Sequence, residues 1–341
     1  MKRILLFLGV SATISSYAQQ TDTTDLVPVE VKTIRASAMA PFAKTNLNKK
    51  DIERKNLGQD LPFLLNQTPS VIVNSDAGNG VGYTGIRIRG TDATRINVTI
   101  NGVPFNDAES NGTYFVDLPD LLSSVNSIQI QRGVGTSSNG PGAFGGTINL
   151  STNEINKQAY IESNNSFGSF TTLKNTIKIG TGLWGKHFVT DLRLSRISSD
   201  GYLDRATSNL KSYYFSTAYV NDKTTLRFTT FAGKEKTYQA WYGVSEADLK
   251  TSRTVNYAGM EKPGDPYANQ TDNYTQNHYQ LFWTQHFSPF LTFNTGLFYV
   301  KGKGYYEEYK AGQPYAKYGL QNSSSGGTTI TESDLVRQRW L

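Results

Sequence analysis

The stretch Tyr279-Gln280-Leu281-Phe282-Trp283-Thr284-Gln285-His286-Phe287-Ser288-Pro289-Phe290-Leu291-Thr292-Phe293-Asn294-Thr295-Gly296-Leu297-Phe298-Tyr299 sets the architecture of the second half of the chain. Tyr279, Leu281, Trp283 and Phe287 share one parity, and His278, Gln280, Thr284 and His286 share the other. Beyond Ser288-Pro289, Leu291, Phe293, Leu297 and Tyr299 oppose Thr292, Asn294 and Gly296. Successive side chains of a strand point to opposite faces, so period two predicts a pair of two-faced strands joined by a tight turn.

Upstream the pattern repeats. Leu173, Ile177 and Ile179 alternate with Lys174, Thr176 and Lys178. Phe188, Leu192 and Leu194 alternate with His187, Asp191, Arg193 and Ser195, and Leu226 and Phe228 with Arg227 and Thr229. About seven strands of roughly ten residues follow one another from residue 157 with no helical spacing between them, which is an antiparallel meander. A soluble sandwich shows the same alternation, so the connections must decide. They are expected near 167–170, 182–186, 198–210, 221–223, 237–273, 288–290 and 304–334. Every second one is short (Gly185-Lys186, Asn221-Asp222, Ser288-Pro289), and three of the others are long. Outer-membrane barrels have short periplasmic turns and longer outer loops, whereas a sandwich does not sort its loops by parity.

Composition agrees. Of 341 residues 37% are hydrophobic, and no apolar run approaches the roughly 20 residues of a spanning helix, which excludes a helical membrane protein but not a barrel. Aromatic residues reach 12%, as expected of strands that carry aromatic girdles. Cysteine is absent, which removes disulfides, thiolate chemistry and a cysteine-linked lipid. The net charge of +6 is dispersed, so no basic stripe marks a nucleic-acid partner. At the N-terminus Lys2 and Arg3 precede a short apolar core at 4–10, and Ser16 and Ala18 stand at the −3 and −1 positions. Residues 1–18 read as a secretory signal peptide cleaved after Ala18.

Residues 19–45 read as a polar, flexible leader interrupted by one apolar patch, Asp25-Leu26-Val27-Pro28-Val29-Glu30-Val31. Residues 46–152 read as a compact mixed α+β domain. Ile52, Leu57, Leu61, Leu64 and Leu65 recur at helical spacing, interrupted near Gly58 and Pro62. Short strands are predicted at 71–73, 86–89, 97–100 and 128–130, with Asn101-Gly102 as a hairpin turn.

Three ordered blocks in this domain carry a resemblance. Gly85-Ile86-Arg87-Ile88-Arg89-Gly90, followed by Arg95-Ile96-Asn97-Val98-Thr99-Ile100-Asn101-Gly102-Val103-Pro104, resembles the "IRGxxxxRxxVxIDGVP" core of TonB-dependent outer-membrane receptors, with Asn101 where Asp is common. Val125-Asn126-Ser127-Ile128-Gln129-Ile130-Gln131-Arg132-Gly133 is similar to "IERIEVLRGP", with Asn126 and Ser127 for the usual charged pair and Val134 for Pro. Gly140-Pro141-Gly142-Ala143-Phe144-Gly145-Gly146-Thr147-Ile148-Asn149-Leu150 resembles "YGSGAIGGVINI". Gly201-Tyr202 and the string 238–243 resemble Bacteroidetes-type members.

The resemblance implies an α+β plug domain at 46–152, followed by strands of an antiparallel transmembrane β-barrel at 157–341. A barrel that encloses a plug of this size needs about 22 strands, so the chain is expected to carry the N-terminal portion of one, with an eighth strand starting near Asp334. The apolar patch lies where the family carries its TonB box, here Asp25, Leu26, Val27, Pro28 and Val29. An extended segment of that kind adds as a strand to its partner, implying a TonB–ExbB–ExbD complex. Arg89 and Arg132 are implied as a lock between plug and barrel carboxylates. Ligand contacts are expected in the plug's outer loops 76–84 and 107–114, with Asn79, Tyr83, Asn111 and Tyr114. Further contacts are expected in the long barrel links, with Trp241, Tyr242 and Tyr306 beside Tyr238, Tyr305 and Tyr309. Aromatic side chains there give large contact area to flat chelates or sugars.

The implied function is import of a scarce ligand through the outer membrane, with a ferric siderophore or other iron complex first. Cobalamin and oligosaccharide are alternatives, as is a non-transport surface binding or signalling protein. Enzyme signatures do not hold up. Gly140-Pro141-Gly142-Ala143-Phe144-Gly145 has the spacing G-x-G-x-x-G, but strand-like sequence follows it rather than a helix. His278 and His286 share a parity but lie roughly 27 Å apart along a strand, so they cannot share a metal. No catalytic residue, metal ligand or cofactor is expected.

Overall fold

A computed structural model describes residues 35–37, 39–135 and 142–341. The first domain runs β1 (Lys44–Asn48), α1 (Lys49–Lys55), α2 (Leu61–Leu64), β2 (Val71–Ser75), β3 (Thr84–Ile88), β4 (Ile96–Ile100), β5 (Val103–Pro104), β6 (Ser127–Arg132) and β7 (Gly146–Ser151). The helical spacing read from Ile52 to Leu65 is carried by two helices. Asn48 caps α1 by accepting the Asp51 amide, and Asp51 caps it reciprocally. The chain then turns at Gly58 (φ 121°) before α2, whose first turn holds Pro62.

Five strands form one sheet in the order β1-β6-β7-β4-β5, antiparallel except for β4 beside β7. The Asn101-Gly102 turn joins β4 to β5 with both residues at positive φ (56° and 86°). Ile96, Val98, Ile100, Ile128, Ile130, Ile148 and Leu150 pack against Ile52 and Leu65 in one cluster, each side chain contributing about 1.5–3 kcal/mol on burial. Tyr214 and Phe231, which belong to the second half of the chain, complete this cluster. The end of the expected leader is held on the sheet. Arg35 Nη1 donates to Ser127 Oγ at 2.9 Å, the Ala36 amide donates to Gln129 Oε1 at 2.7 Å, and β1 straddles the expected 45/46 boundary.

The second half is a meander of β8 (Ala159–Gly168), β9 (Thr172–Thr181), β10 (Phe188–Ser199), β11 (Ser208–Val220), β12 (Thr224–Tyr238), α3 (Glu246–Thr251), β13 (Thr271–Ser288), β14 (Leu291–Pro314), a small hairpin of β15 (Ser323–Ser325) and β16 (Thr328–Ile330), and β17 (Glu332–Trp340). Eight strands pair antiparallel in the order β17-β14-β13-β12-β11-β10-β9-β8. The expected eighth strand is present as β17. The sheet curves around the first domain, and its parity is as read. Lys174, Thr176, Arg193, Tyr214, Arg227, Thr229, Phe231 and Gln280 are buried on the concave face, while Ile177, Leu194, Leu297 and Tyr299 are exposed on the convex one. Tyr279 stacks on Tyr299 at 6.2 Å, and Trp283 meets Phe293 edge-on at 5.4 Å along that outer face.

Two close approaches fit the sheet to its contents. At Gly233 any side chain would collide with Asp117 O and Pro119, so the domain's backbone rests directly on β12. Gly302 and Gly304 lie under the Tyr274 ring. A connection is expected from 304 onward, but β14 continues to Pro314. Tyr305, Tyr306 and Tyr309 therefore stand on a strand rather than in a long link, and Tyr238 is the last residue of β12.

The connections 182–187, 221–223 and 289–290 are short; of the alternate set, 169–171 is also short while 200–207, 239–270 and 315–331 are longer. If the short turns face the periplasm, single cysteines at exposed Asp222 and Tyr257 should behave differently on intact cells. An impermeant maleimide should label the Tyr257→Cys protein and leave Asp222→Cys unlabelled until the cells are broken. Equal labelling would refute this orientation.

Candidate functional site

Two features connect the inner domain to its wall. The first is Asp120, whose side chain is fully buried where a short turn meets β9 and β10. Lys174 Nζ lies 2.8 Å from its Oδ1, and Arg193 Nη1 lies 3.7 Å from its Oδ2. Ser123 Oγ and Asn56 Nδ2 also donate to Oδ1 (2.6 and 3.3 Å), and Thr176 Oγ1 and Ser195 Oγ donate to Oδ2 (2.6 and 2.7 Å). Burial alone would raise this carboxyl, but Arg193 and Lys174 hold it down at about 2, so it is ionised at neutral pH. Among the described residues these are the ion pairs that join the inner domain to the eight-stranded sheet. Arg89 and Arg132, implied as the lock, make none there. Arg132 Nη1 donates to Pro69 O at 3.3 Å, and Arg89 lies against Gly133. In this cluster the carboxylate is on the inner domain and the cations are on the wall.

The second feature is a cleft of about 650 Å³ at the long-loop end, between the segments around Tyr83 and 105–117 and the inward faces of β13 and β14. Tyr83, Tyr114, Trp241 and Tyr306, four of the expected ligand residues, line it. Trp241 meets Tyr83 edge-on at 5.4 Å and Tyr306 at 6.5 Å, which makes a connected aromatic wall. The others lie elsewhere. Asn79 donates to Ser199 Oγ (2.7 Å) and anchors its loop to the wall, while Ala77 O accepts from the Tyr202 amide at 2.7 Å. Asn111 has positive φ and donates to Thr94 O (2.7 Å), bracing its own loop. Tyr242 lies at the rim, its hydroxyl 3.5 Å from Glu308 Oε1.

Acidic residues in the cleft escaped the sequence reading. Asp107, Glu109, Asp117, Asp272 and Glu308 line it. The Tyr83 hydroxyl donates to Asp272 Oδ2 (2.6 Å) and Glu235 Oε1 (3.3 Å). Burial and those two carboxylates push the Tyr83 phenol well up, so it stays a donor. Burial, with Asp272 and Asp107 nearby, pushes Asp117 up to about 8. Asp272 begins β13 and carried no motif, and only its inward parity could have pointed to it.

Beneath the cleft the inner domain seals the concave face. Inward residues of β13 run from Asp272, Tyr274 and Gln276 in the cleft to His278 and Gln280 against the domain. Phe231 stacks on His278 at 4.6 Å and Phe105 lies 5.8 Å from it, while Asn101 Nδ2 donates to Gln280 Oε1 at 3.0 Å. Further along β13, Phe282 and Thr284 border a second cavity of about 240 Å³ beside the Asn101-Gly102 turn.

A domain seated in the concavity of a meander sheet has known counterparts. Residues 37–147 match the family described as TonB-dependent Receptor Plug Domain. Residues 37–147 are a TonB-dependent receptor plug domain, and the eight-stranded sheet around it has the fold of the barrel wall in such receptors. The chain is 27% identical over 174 residues to "Vitamin B12 transporter BtuB" of Vibrio vulnificus (strain YJ016), covering 50% of this chain and 28% of that protein. Among solved structures, the closed form of the ferric-catecholate import receptor Fiu from E. coli has a TM-score of 0.64 at 15% identity, covering 92% of this chain and 44% of that one. The siderophore receptor PiuA from Acinetobacter baumannii has a TM-score of 0.63 at 14% identity, covering 84% of this chain and 39% of that one. These likenesses concern the fold, and the chain spans well under two thirds of each of these relatives. The signal peptide expected at 1–18 and the TonB box expected at Asp25, Leu26, Val27, Pro28 and Val29 lie outside the described residues.

Proposed function

We propose that this receptor imports a scarce ligand, a ferric siderophore or another iron complex, across the bacterial outer membrane under TonB control. The observation that carries the reading is the aromatic cleft, where Tyr83 and Tyr114 of the plug face Trp241 and Tyr306 of the barrel part. Its volume of about 650 Å³ falls in the range of small-ligand sites, and rigid aromatic walls suit a flat, multidentate chelate. Ligand that touches plug and barrel together can report its arrival through either one.

Passage requires the seal below the cleft to open. The Phe105–His278–Phe231 ring cluster and the Asn101–Gln280 hydrogen bond lie between the cleft and the cavity at Phe282 and Thr284. The outer membrane holds no ion gradient and the periplasm no ATP, so the work must come from the inner membrane. In this reading TonB, energised by ExbB and ExbD, pairs with the box at residues 25–29 and pulls the plug away from those contacts.

Radiolabelled ferric chelates and cobalamin, offered to the source strain with and without the gene, test the reading. Iron uptake should fall on deletion. If only cobalamin uptake fell, the iron reading would be replaced by vitamin import, which the likeness to a vitamin B12 transporter favours as the second reading. Within the site, Trp241→Ala removes the central ring of the wall. Surface binding of the transported ligand should weaken by about tenfold, as truncating a central aromatic contact usually does. Unchanged binding would move the ligand away from this cleft.

A further inference from the structure

Charge is distributed unevenly around the cleft. Five carboxylates line it, and among the described residues no lysine or arginine does. A sixth, Glu235, lies behind Tyr83 and is 1% exposed. The cations nearest the cleft are already engaged. Arg337 and Lys310 flank Glu308, and Arg339 Nη1 donates to the Tyr306 hydroxyl at 3.0 Å. Asp107 accepts the amide and hydroxyl of Ser110 within its own loop.

Among the described residues no cation pairs with Asp272, Asp117 or Glu235, which group near the Tyr83 hydroxyl. Asp117 Oδ2 receives only a long contact from Gln276 Nε2 at 3.4 Å. Asp272 is 4% exposed, lines the cleft, and its Oδ1 takes no hydrogen bond from any described residue. A buried carboxylate oxygen with no donor is costly, and grouping several carboxylates adds mutual repulsion. Donors or a positive charge supplied from the cleft would relieve both. The Trp241 and Tyr306 rings stand beside this spot, and aromatic faces attract cations.

We propose that the cleft selects a ferric chelate that carries a protonated amine, with Asp272 Oδ1 and Asp117 receiving the ammonium and Trp241 and Tyr306 flanking it. This rests on the reading of the cleft as the ligand site and adds the sign of the ligand's charge. Every group placed on the ammonium comes from the plug or from the strands and loop already described.

The test uses receptor purified from outer membranes and three ferric probes. One is a linear trihydroxamate with a free amine, one a cyclic trihydroxamate that lacks it, and one a trianionic tris-catecholate. Titration calorimetry should rank them in that order. The amine should bring about tenfold or more in affinity, the usual effect of one charge-assisted hydrogen bond in a desolvated site. Asp272→Asn keeps the side-chain shape and should weaken the amine-bearing probe about tenfold more than the cyclic one. Asp117→Asn gives a second reading if Asp272→Asn fails the heat-modifiable mobility shift of a folded barrel. Tightest binding of the trianionic probe, or an amine advantage that survives both substitutions, overturns the charge selection and leaves iron import standing. Binding of none of the three overturns the iron reading itself, and this inference with it.

Discussion

Asp120→Ala is expected to loosen the plug from its wall by about 3–5 kcal/mol, because it strands two buried cations. Lys174 and Arg193 have side chains only 3% exposed and face Asp120 from β9 and β10. Thr176 and Ser195 would lose the same acceptor. Guanidinium unfolding of the purified receptor, followed by protease cleavage within the plug, reads the effect. A shift corresponding to less than about 1 kcal/mol, the level of a surface pair, would show that the cluster does not hold the plug. Replacing the ion pair with apolar residues of similar volume, Asp120→Leu with Lys174→Met, should recover part of the loss, since such a swap removes the desolvation penalty as well as the attraction. The pH dependence has a definite sign. Asp120 titrates at about 2 in the folded protein, below its ordinary 3.8. Its contribution is therefore complete above about pH 4 and fades as pH falls toward 2.

Val27→Pro is expected to abolish uptake while leaving ligand binding at the cell surface unchanged. A segment that joins its partner as an added strand donates backbone N–H groups to it, and proline removes one donor and fixes φ. The cleft and the seal lie in the plug and barrel, so the first binding step does not involve residue 27. Radiolabelled ligand should still bind to whole cells at 4 °C and fail to accumulate at growth temperature. Continued accumulation at the normal rate would place energy coupling outside residues 25–29.

The two mutants separate distinct links. Asp120 concerns how the plug is kept in place, and Val27 concerns how it is displaced. If the Asp120 cluster is a resisting contact, its loss should also lower the work needed to move the plug, which a faster initial uptake rate would reveal.

Much of the architecture was legible in local sequence. The alternation in Tyr279-Gln280-Leu281 and its relatives marks strands because side-chain direction in a strand is fixed by backbone geometry, and no distant partner is needed to read it. Asn101-Gly102 marks its turn for a similar reason, since positive φ is a property of those two residues. The three plug motifs lie within one continuous stretch, so the order of residues carries them. Aromatic residues in the expected plug loops and barrel links gave four of the cleft's lining side chains, Tyr83, Tyr114, Trp241 and Tyr306, because a large ring is informative wherever it stands.

Pairing between distant segments was decided only by the tertiary structure. Asp120 is one aspartate in a short polar turn, and its partners lie more than fifty residues downstream on two strands. Nothing in its neighbourhood distinguishes it from Asp117, yet one is held ionised by cations and the other is driven toward its protonated form by burial and by nearby carboxylates. A connection is expected from residue 304, while in the folded chain Gly302 and Gly304 admit the Tyr274 ring and β14 continues to Pro314. Periodicity specifies which face a residue occupies. Burial, charge and an unpartnered oxygen such as Asp272 Oδ1 depend on what is packed against that face, and that was settled only when the plug seated in the sheet.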